Sequence, residues 1–369
     1  MNLPKVTTSA RMPSLDGLRA VSLCSILIGH LAGSRNFVPP SYLAPLNIGD
    51  LGVRVFFVVS GFLITTLLMK EMRDSGHISL PMFYLRRTLR IFPAFYVFLI
   101  AIAILAGAHR IRLLPGDLLH AATYTSNYHV DRSWWAGHIW SLSVEEQFYL
   151  LWPVVFAFAG LKKSMRTAGA VVLLCPIIRV GLLLMYPGRN PWMNELFPTV
   201  ADGLATGCLL AGFRHRLAGM NWYQRLQNSR WFNLVPALAL IMNCIPGGRI
   251  RFAILLTLMN LCLAATVDRY VSLPATWTGR VLNSRPFVYV GTLSYSLYLW
   301  QQLFLHHEQS VFPFPVNLLL AIGMAWISYN FVEVPFLKLR RNIERRIRAG
   351  RVVAPLSPAY VAGGTSGPC

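Results

Sequence analysis

Apolar residues in this chain run in long unbroken blocks, without the alternation of a half-buried strand or the narrow stripe of a soluble amphipathic helix. Blocks at 15–33, 51–69, 91–108, 142–160, 168–186, 197–213, 231–246, 252–267, 286–305 and 314–332 approach the roughly 20 residues that a helix needs to cross hydrocarbon. They predict an all-α polytopic integral membrane protein of about ten transmembrane helices. Gly and Pro interrupt several blocks, which lipid tolerates where neighbouring helices re-satisfy the freed backbone groups. The first block, LDGLRAVSLCSILIGHLAG, carries Asp16, Arg19 and His30 inside an otherwise apolar run. Arg19 and His30 are 11 positions apart, about 16 Å along a helix axis, so this helix links two depths of the bilayer. A cation and an imidazole in hydrocarbon are costly without an internal partner or a wet cavity.

Composition changes this picture little, and charge refines it. Of 369 residues, 55% are hydrophobic and 13% charged, which excludes an ordinary soluble domain. The net charge of +20 is distributed unevenly. With the N-terminus inside, cytoplasmic segments hold 24 Lys and Arg and the outer loops 7, as the positive-inside rule expects of an even number of spans with both termini cytoplasmic. The basic surplus therefore reads as topology and contact with anionic membrane lipids, and no nucleic acid is expected as a partner. Residues 1–14 form a cytoplasmic N-terminus, 15–336 a membrane domain, and 337–369 a basic then disordered cytoplasmic tail. Lys5 and Arg11 before an apolar run with small residues at Ala32 and Gly33 raise the possibility of a signal peptide. Cleavage would discard the costliest residues in the chain, so the helix is expected to be retained. Cys24, Cys175, Cys208, Cys244 and Cys262 fall in or beside apolar helices without metal spacing. They are expected to be small buried hydrophobes, and no metal is expected.

Candidate chemistry sits at the ends of the predicted helices. FYLRRTLRIFP (83–93) places Arg86, Arg87 and Arg90 at the inner end of span three. Arg87 and Arg90 share a helical face and either grip a phosphate through paired guanidinium hydrogen bonds or anchor the topology. Arg54 stands near the outer start of span two, where Ser60-Gly61 is expected to serve close helix packing. In WSLSVEEQFYLLWP (140–153), Ser143 and Glu146 fit a capping box. Glu145 is thereby left to point into the bundle. Trp134 and Trp135 suit an interfacial belt. Arg179 is expected to neutralise an acid on a neighbouring helix, and Glu333 to pair locally with the basic tail. His30 and Glu145 lie at similar depth, so the carboxylate is expected to orient the imidazole as a catalytic dyad, the alternative for His30 being a structural role.

Taken together, LDGLRAVSLCSILIGH (15–30), GVRVFFVVSGFLI (52–64), FYLRRTLRIFP (83–93) and HIWSLSVEEQFYLLWP (138–153), supported by SYSLYLWQ (294–301) and FVEVPF (331–336), resemble the membrane acyltransferase-3 family, the bacterial polysaccharide O-acetyltransferase type. The resemblance implies an enzyme of the bacterial inner membrane that moves an acyl group, usually acetyl, from cytoplasmic acyl-CoA to a carbohydrate hydroxyl. It matches the family's essential histidine to His30, its first-helix arginine to Arg19, its Arg-x-x-Arg pair to Arg87 and Arg90, and its Ser-Leu-x-x-Glu acid to Glu145. Ala20 stands where a Gly often follows that arginine. Acetyl-CoA or another acyl-CoA is then the donor, with Arg87 and Arg90 on its phosphates and Arg19 lining the way inward. No hydrolase-like domain follows the membrane domain in this sequence, which leaves the acceptor step to the membrane domain or to a separate protein. Acylation of a small molecule, such as an antibiotic or a lipid headgroup, is the alternative among enzymes. A transporter of lipid-linked sugar is the alternative outside them, but it calls for an internal repeat, and the charged motifs instead crowd into the first 153 residues.

Overall fold

The computed structural model describes residues 12–186, 191–246, 248–306 and 312–352. The expectations for Lys5, Arg11, Arg189 and the tail beyond residue 352 lie outside them. Ten helices position the site: α1 (Pro13–Leu31), α2 (Ile48–Ser75), α3 (Leu80–Gly107), α4 (Ile139–Met185), α5 (Phe197–Ala218), α6 (Leu234–Cys244), α7 (Leu256–Ser272), α8 (Arg285–Trp300), α9 (Val316–Ser328) and α10 (Val334–Val352). Shorter helical pieces fill the connections, among them Asp117–Ala122 and Trp134–Gly137.

Among the described residues, seven helical runs are long and apolar enough to cross a membrane: 13–31, 40–75, 80–107, 134–185, 192–218, 251–272 and 316–347. The fourth contains the block expected at 142–160 and all but the last residue of the one expected at 168–186. Within α4, Gly160 breaks the helical path at φ 70°, ψ 172°, a left-handed conformation open to glycine because it lacks a Cβ. Helices α6 and α8 have 11 and 16 residues, shorter than their apolar blocks. In α8 the Gln301-Gln302 pair leaves the α-helix for a 3₁₀ turn.

Close approaches between backbones set the core. A Cβ on Gly61 of α2 would collide with the Leu204 carbonyl of α5, and one on Gly207 of α5 with the Val58 carbonyl of α2. Gly17 of α1 meets the Leu282 backbone, and Gly291 of α8 meets the Asp16 backbone of α1. Small residues at these crossings let helices gain van der Waals contact where lipid supplies no hydrophobic drive. Arg179, fully buried, forms an ion pair with Asp202 at 2.7 Å and donates to the Thr199 carbonyl and the Thr257 hydroxyl. That is the neutralising role expected of it. Outward-facing positions are apolar, with Phe158 82% and Leu184 77% exposed, as suits a surface solvated by acyl chains. Cys175 and Cys208 are buried as expected, whereas Cys24 is exposed on this outer surface.

The connections gather at two ends of the bundle. At one end Arg86 reaches Glu71 and Glu344, and Arg214 reaches Asp268. At the other, Arg251 reaches Asp50, Arg132 reaches Glu195, and the Phe314 amide donates to the Arg35 carbonyl. The first is called the Arg90 end below and the second the His30 end.

Candidate active site

Helices α1, α2, α3, α4 and α8 enclose a cavity of about 90 Å³ whose wall includes Arg19, Arg87, Arg90, Glu145, Glu146 and Glu333. Arg87 is held in place twice: its Nε lies 3.5 Å from Glu146 Oε1, and its guanidinium stacks 3.3 Å from the Tyr149 ring centroid. Both partners lie on α4, within a turn of one another, so α4 clamps the arginine carried by α3. Arg90, one turn further along the same face, is exposed into the mouth of the cavity. Among the described residues neither Arg90 nor Arg19 forms an ion pair. Arg86 points elsewhere, to Glu71 and Glu344. The expected Arg87 and Arg90 face is therefore formed, with Arg19 joining it from α1, and the cavity offers guanidinium groups that an anionic ligand would complete.

Glu145 belongs to this cavity. It accepts a hydrogen bond from Ser60 Oγ at 2.8 Å, across the α2–α4 contact. The expected capping box is not formed, because α4 starts at Ile139 and Ser143 Oγ instead bonds back to the Ile139 carbonyl. With Ser143 already inside the helix, Glu146 is free to hold Arg87. Glu333 also differs from expectation: it is buried and accepts from Ser296 on α8 rather than from the basic tail. Ser60 is more than a packing residue, while its neighbour Gly61 does serve close approach.

His30 lies outside the lining of this cavity. In the last turn of α1 its Nδ1 is 2.8 Å from Gln301 Oε1, and its ring meets Trp134 edge-on at 5.4 Å between centroids. The dyad expected with Glu145 is thus corrected: Gln301 orients His30, and Glu145 bonds to Ser60. Similar depth along the sequence did not make them neighbours, because α8 inserts its polar terminus beside α1. The Gln301 amide is the polar partner that fixes the ring at Nδ1.

Between His30 and the cavity runs a polar layer. Ser141 and Tyr298, both on the cavity wall, share a 2.5 Å hydrogen bond, and Tyr298 donates to the His138 carbonyl at 2.9 Å. The His138 ring contacts Gln302 Oε1 at 2.5 Å and the Leu299 carbonyl at 3.1 Å. Trp134 Nε1 donates to the Gln302 carbonyl at 3.0 Å. Sequence reasoning passed over Gln301, Gln302, His138, Tyr149 and Tyr298 as site residues. The usable signal was the Gln pair closing an apolar block, since polar side chains at that depth need partners.

This arrangement places cations at one end of α1 and an imidazole at the other. A family model described as an acyltransferase domain matches residues 12–331. The chain belongs to the acyltransferase-3 family. It is 30% identical over 89% of its length to a Staphylococcus aureus strain MSSA476 protein provisionally named an O-acetyltransferase, covering 57% of that protein. It is 28% identical over 91% of its length to O-acetyltransferase OatA of S. aureus strain NCTC 8325, covering 59% of it. The chain thus spans less than two thirds of the length of these relatives. No solved structure is significantly similar to it. Within the acyltransferase-3 domain, both the guanidinium cavity and the His30 cluster fall inside the matched residues.

Proposed function

We propose that this protein transfers an acyl group, acetyl by analogy with its relatives, from acyl-CoA to a hydroxyl of a carbohydrate acceptor such as an exported polysaccharide or its lipid-linked precursor. Supporting this is one observation: Arg19, Arg87 and Arg90 converge on a single cavity, two of them without a carboxylate partner. In the same proposal the chain crosses a bacterial inner membrane ten times with both termini cytoplasmic. α4 counts as two crossings about Gly160, and the Arg90 end faces the cytoplasm, where acyl-CoA is made.

In this mechanism Arg87 and Arg90 hold the phosphates of the donor, and Arg19 lines the path of the pantetheine arm towards the polar layer at Ser141 and Tyr298. His30 Nε2, its ring fixed by Gln301, accepts the proton of the acceptor hydroxyl as that oxygen attacks the thioester carbonyl. The tetrahedral oxyanion collapses, the C–S bond breaks, and the CoA thiolate recovers the proton from His30. The ester and free CoA thiol account for every atom.

The test uses membranes containing the full chain, radiolabelled acetyl-CoA and a panel of carbohydrate acceptors. Label should appear in ester linkage to an acceptor. Arg90→Lys should raise KM for acetyl-CoA with kcat nearly unchanged, because Lys keeps the charge and loses the planar fork. Acetyl transfer with an unaltered KM in Arg87→Lys, Arg90→Lys would remove the phosphate role from the pair.

A further inference from the structure

Two helices frame the mouth of the guanidinium cavity and run in opposite directions past it. α3 enters from Arg86 towards Arg87, Arg90 and Ile91, whereas α10 leaves, continuing the π-helical turn (Tyr329–Glu333) that ends on the cavity wall at Glu333. They are tied at the Arg90 end of the bundle, where Arg86 Nε on α3 lies 3.2 Å from Glu344 Oε1 on α10. Inward from that tie, four residues along α3 lead to Arg90 and four residues along α10 lead to Arg340. Both steps rise about 6 Å, so the antiparallel pair sets Arg340 level with Arg90. Arg340 also keeps to the inward face of α10: Leu337, Arg340 and Glu344 are half-buried, while Lys338, Leu339, Arg341 and Arg345 are exposed. It is not part of the cavity wall and stands at its rim.

Arg340 is positioned there without being engaged. Glu344 serves Arg86, whose Nη1 also donates to Glu71 at 3.3 Å. Arg340 Nε stands 3.7 Å from the same Glu344 oxygen, too far for a hydrogen bond. That buried nitrogen has no hydrogen-bond partner among the described residues, yet the side chain is 28% exposed and open to a ligand. Its charge bears on Arg90, as do those of Arg19 and Arg87. Like charges held together across packed helices repel, and an unsatisfied charged donor is costly. Phosphate groups set between the guanidiniums relieve both, through the forked geometry that arginine presents to such oxygens.

The donor of the proposed reaction carries phosphate in two places, a diphosphate in line with the pantetheine arm and a separate 3′-phosphate on the ribose. We propose that Arg340 binds the ribose 3′-phosphate at the rim, leaving the diphosphate to Arg87 and Arg90 inside the cavity. Arg340 then sets the preference for CoA over a donor that lacks this group. The inference deepens the proposed acyl transfer and rests on it for the identity of the donor.

Full-length protein in phosphatidylcholine nanodiscs, titrated calorimetrically with CoA and with 3′-dephospho-CoA, tests this without an acceptor. CoA should bind more tightly by about tenfold or more, the scale of one hydrogen bond to a charged group. Arg340→Gln should bring the two affinities together while 3′-dephospho-CoA binds as it does to the wild type, which also shows the variant to be folded. Arg341→Gln, one residue on and exposed, should keep the wild-type ratio. Equal binding of the two ligands to the wild-type protein would overturn the inference and leave the donor reading intact. So would an undiminished ratio in Arg340→Gln, or an equal fall in Arg341→Gln, which would make the preference one of diffuse charge. Loss of the preference in discs that carry phosphatidylglycerol would also overturn it, by placing a lipid phosphate on Arg340. If neither ligand bound, the acyl-CoA donor itself would fall, and the inference with it.

Discussion

His30 is one half-buried imidazole with one close polar partner, and that partner decides what its substitutions should do. Gln301 fixes the ring through Nδ1, so Gln301→Ala should lower kcat by about 10- to 100-fold, the scale of lost positioning, without altering KM for acetyl-CoA. His30→Ala should remove transfer altogether in a protein that still inserts, since general-base assistance is worth about 10²–10⁴-fold. The double variant should then be no worse than His30→Ala, because residues acting as a unit do not contribute additively. Glu145 belongs to the other group. Bonded to Ser60 in the guanidinium cavity, it should act on the donor, and Glu145→Gln combined with Gln301→Ala should reduce kcat/KM by the product of the single effects. A double variant much milder than that product, measured by steady-state kinetics, would restore a direct link between Glu145 and His30.

At the scale of helices, α2 and α5 are joined by reciprocal glycines, each facing a carbonyl of the other. Neither backbone can retreat without breaking its own helical hydrogen bonds, so a side chain there must push the helices apart. Gly61→Val is expected to destabilise the bundle by about 1–3 kcal/mol, as overpacking does. A drop in the thermal midpoint of the purified protein checks it. Because Ser60 on the same turn holds Glu145, Gly61→Val should also raise KM for acetyl-CoA. An unshifted midpoint would mean that the α2–α5 contact yields easily. Gly160 shows the opposite use of the residue: with open space around its missing Cβ, its left-handed φ turns one 47-residue helix into two arms that need not be collinear.

For the whole molecule, the 24-to-7 division of Lys and Arg expected from the sequence leads to a test of orientation. Reporter fusions after Lys163 and after Arg249 should report opposite sides, the first cytoplasmic. Both on one side would undo the ten-crossing topology and the assignment of the guanidinium cavity to the cytoplasm. A second cavity, of about 270 Å³ and lined in part by Asp50, Arg54 and Trp140, lies back to back with the guanidinium cavity through the bundle, with the Phe57–Trp140 pair between them.

Much of this was legible in the sequence because lipid is a simple solvent. Hydrocarbon demands apolar blocks of a set length and penalises every charge within them, so the helices, the uneven placement of Lys and Arg, and the prominence of Arg19, His30, Arg87 and Arg90 follow from one dimension. Helical spacing alone put Arg87 and Arg90 on one face. Which polar groups become neighbours depends on lateral helix order and rotation, and apolar blocks facing lipid and facing protein look alike in a sequence. Tertiary structure therefore decided that Gln301 rather than Glu145 meets His30, that Glu146 clamps Arg87 instead of capping a helix, and that Arg54 and Arg251 converge on the single carboxylate of Asp50. Each is a contact between residues distant in the chain or on different turns of a helix, set by how closely glycines let the helices approach.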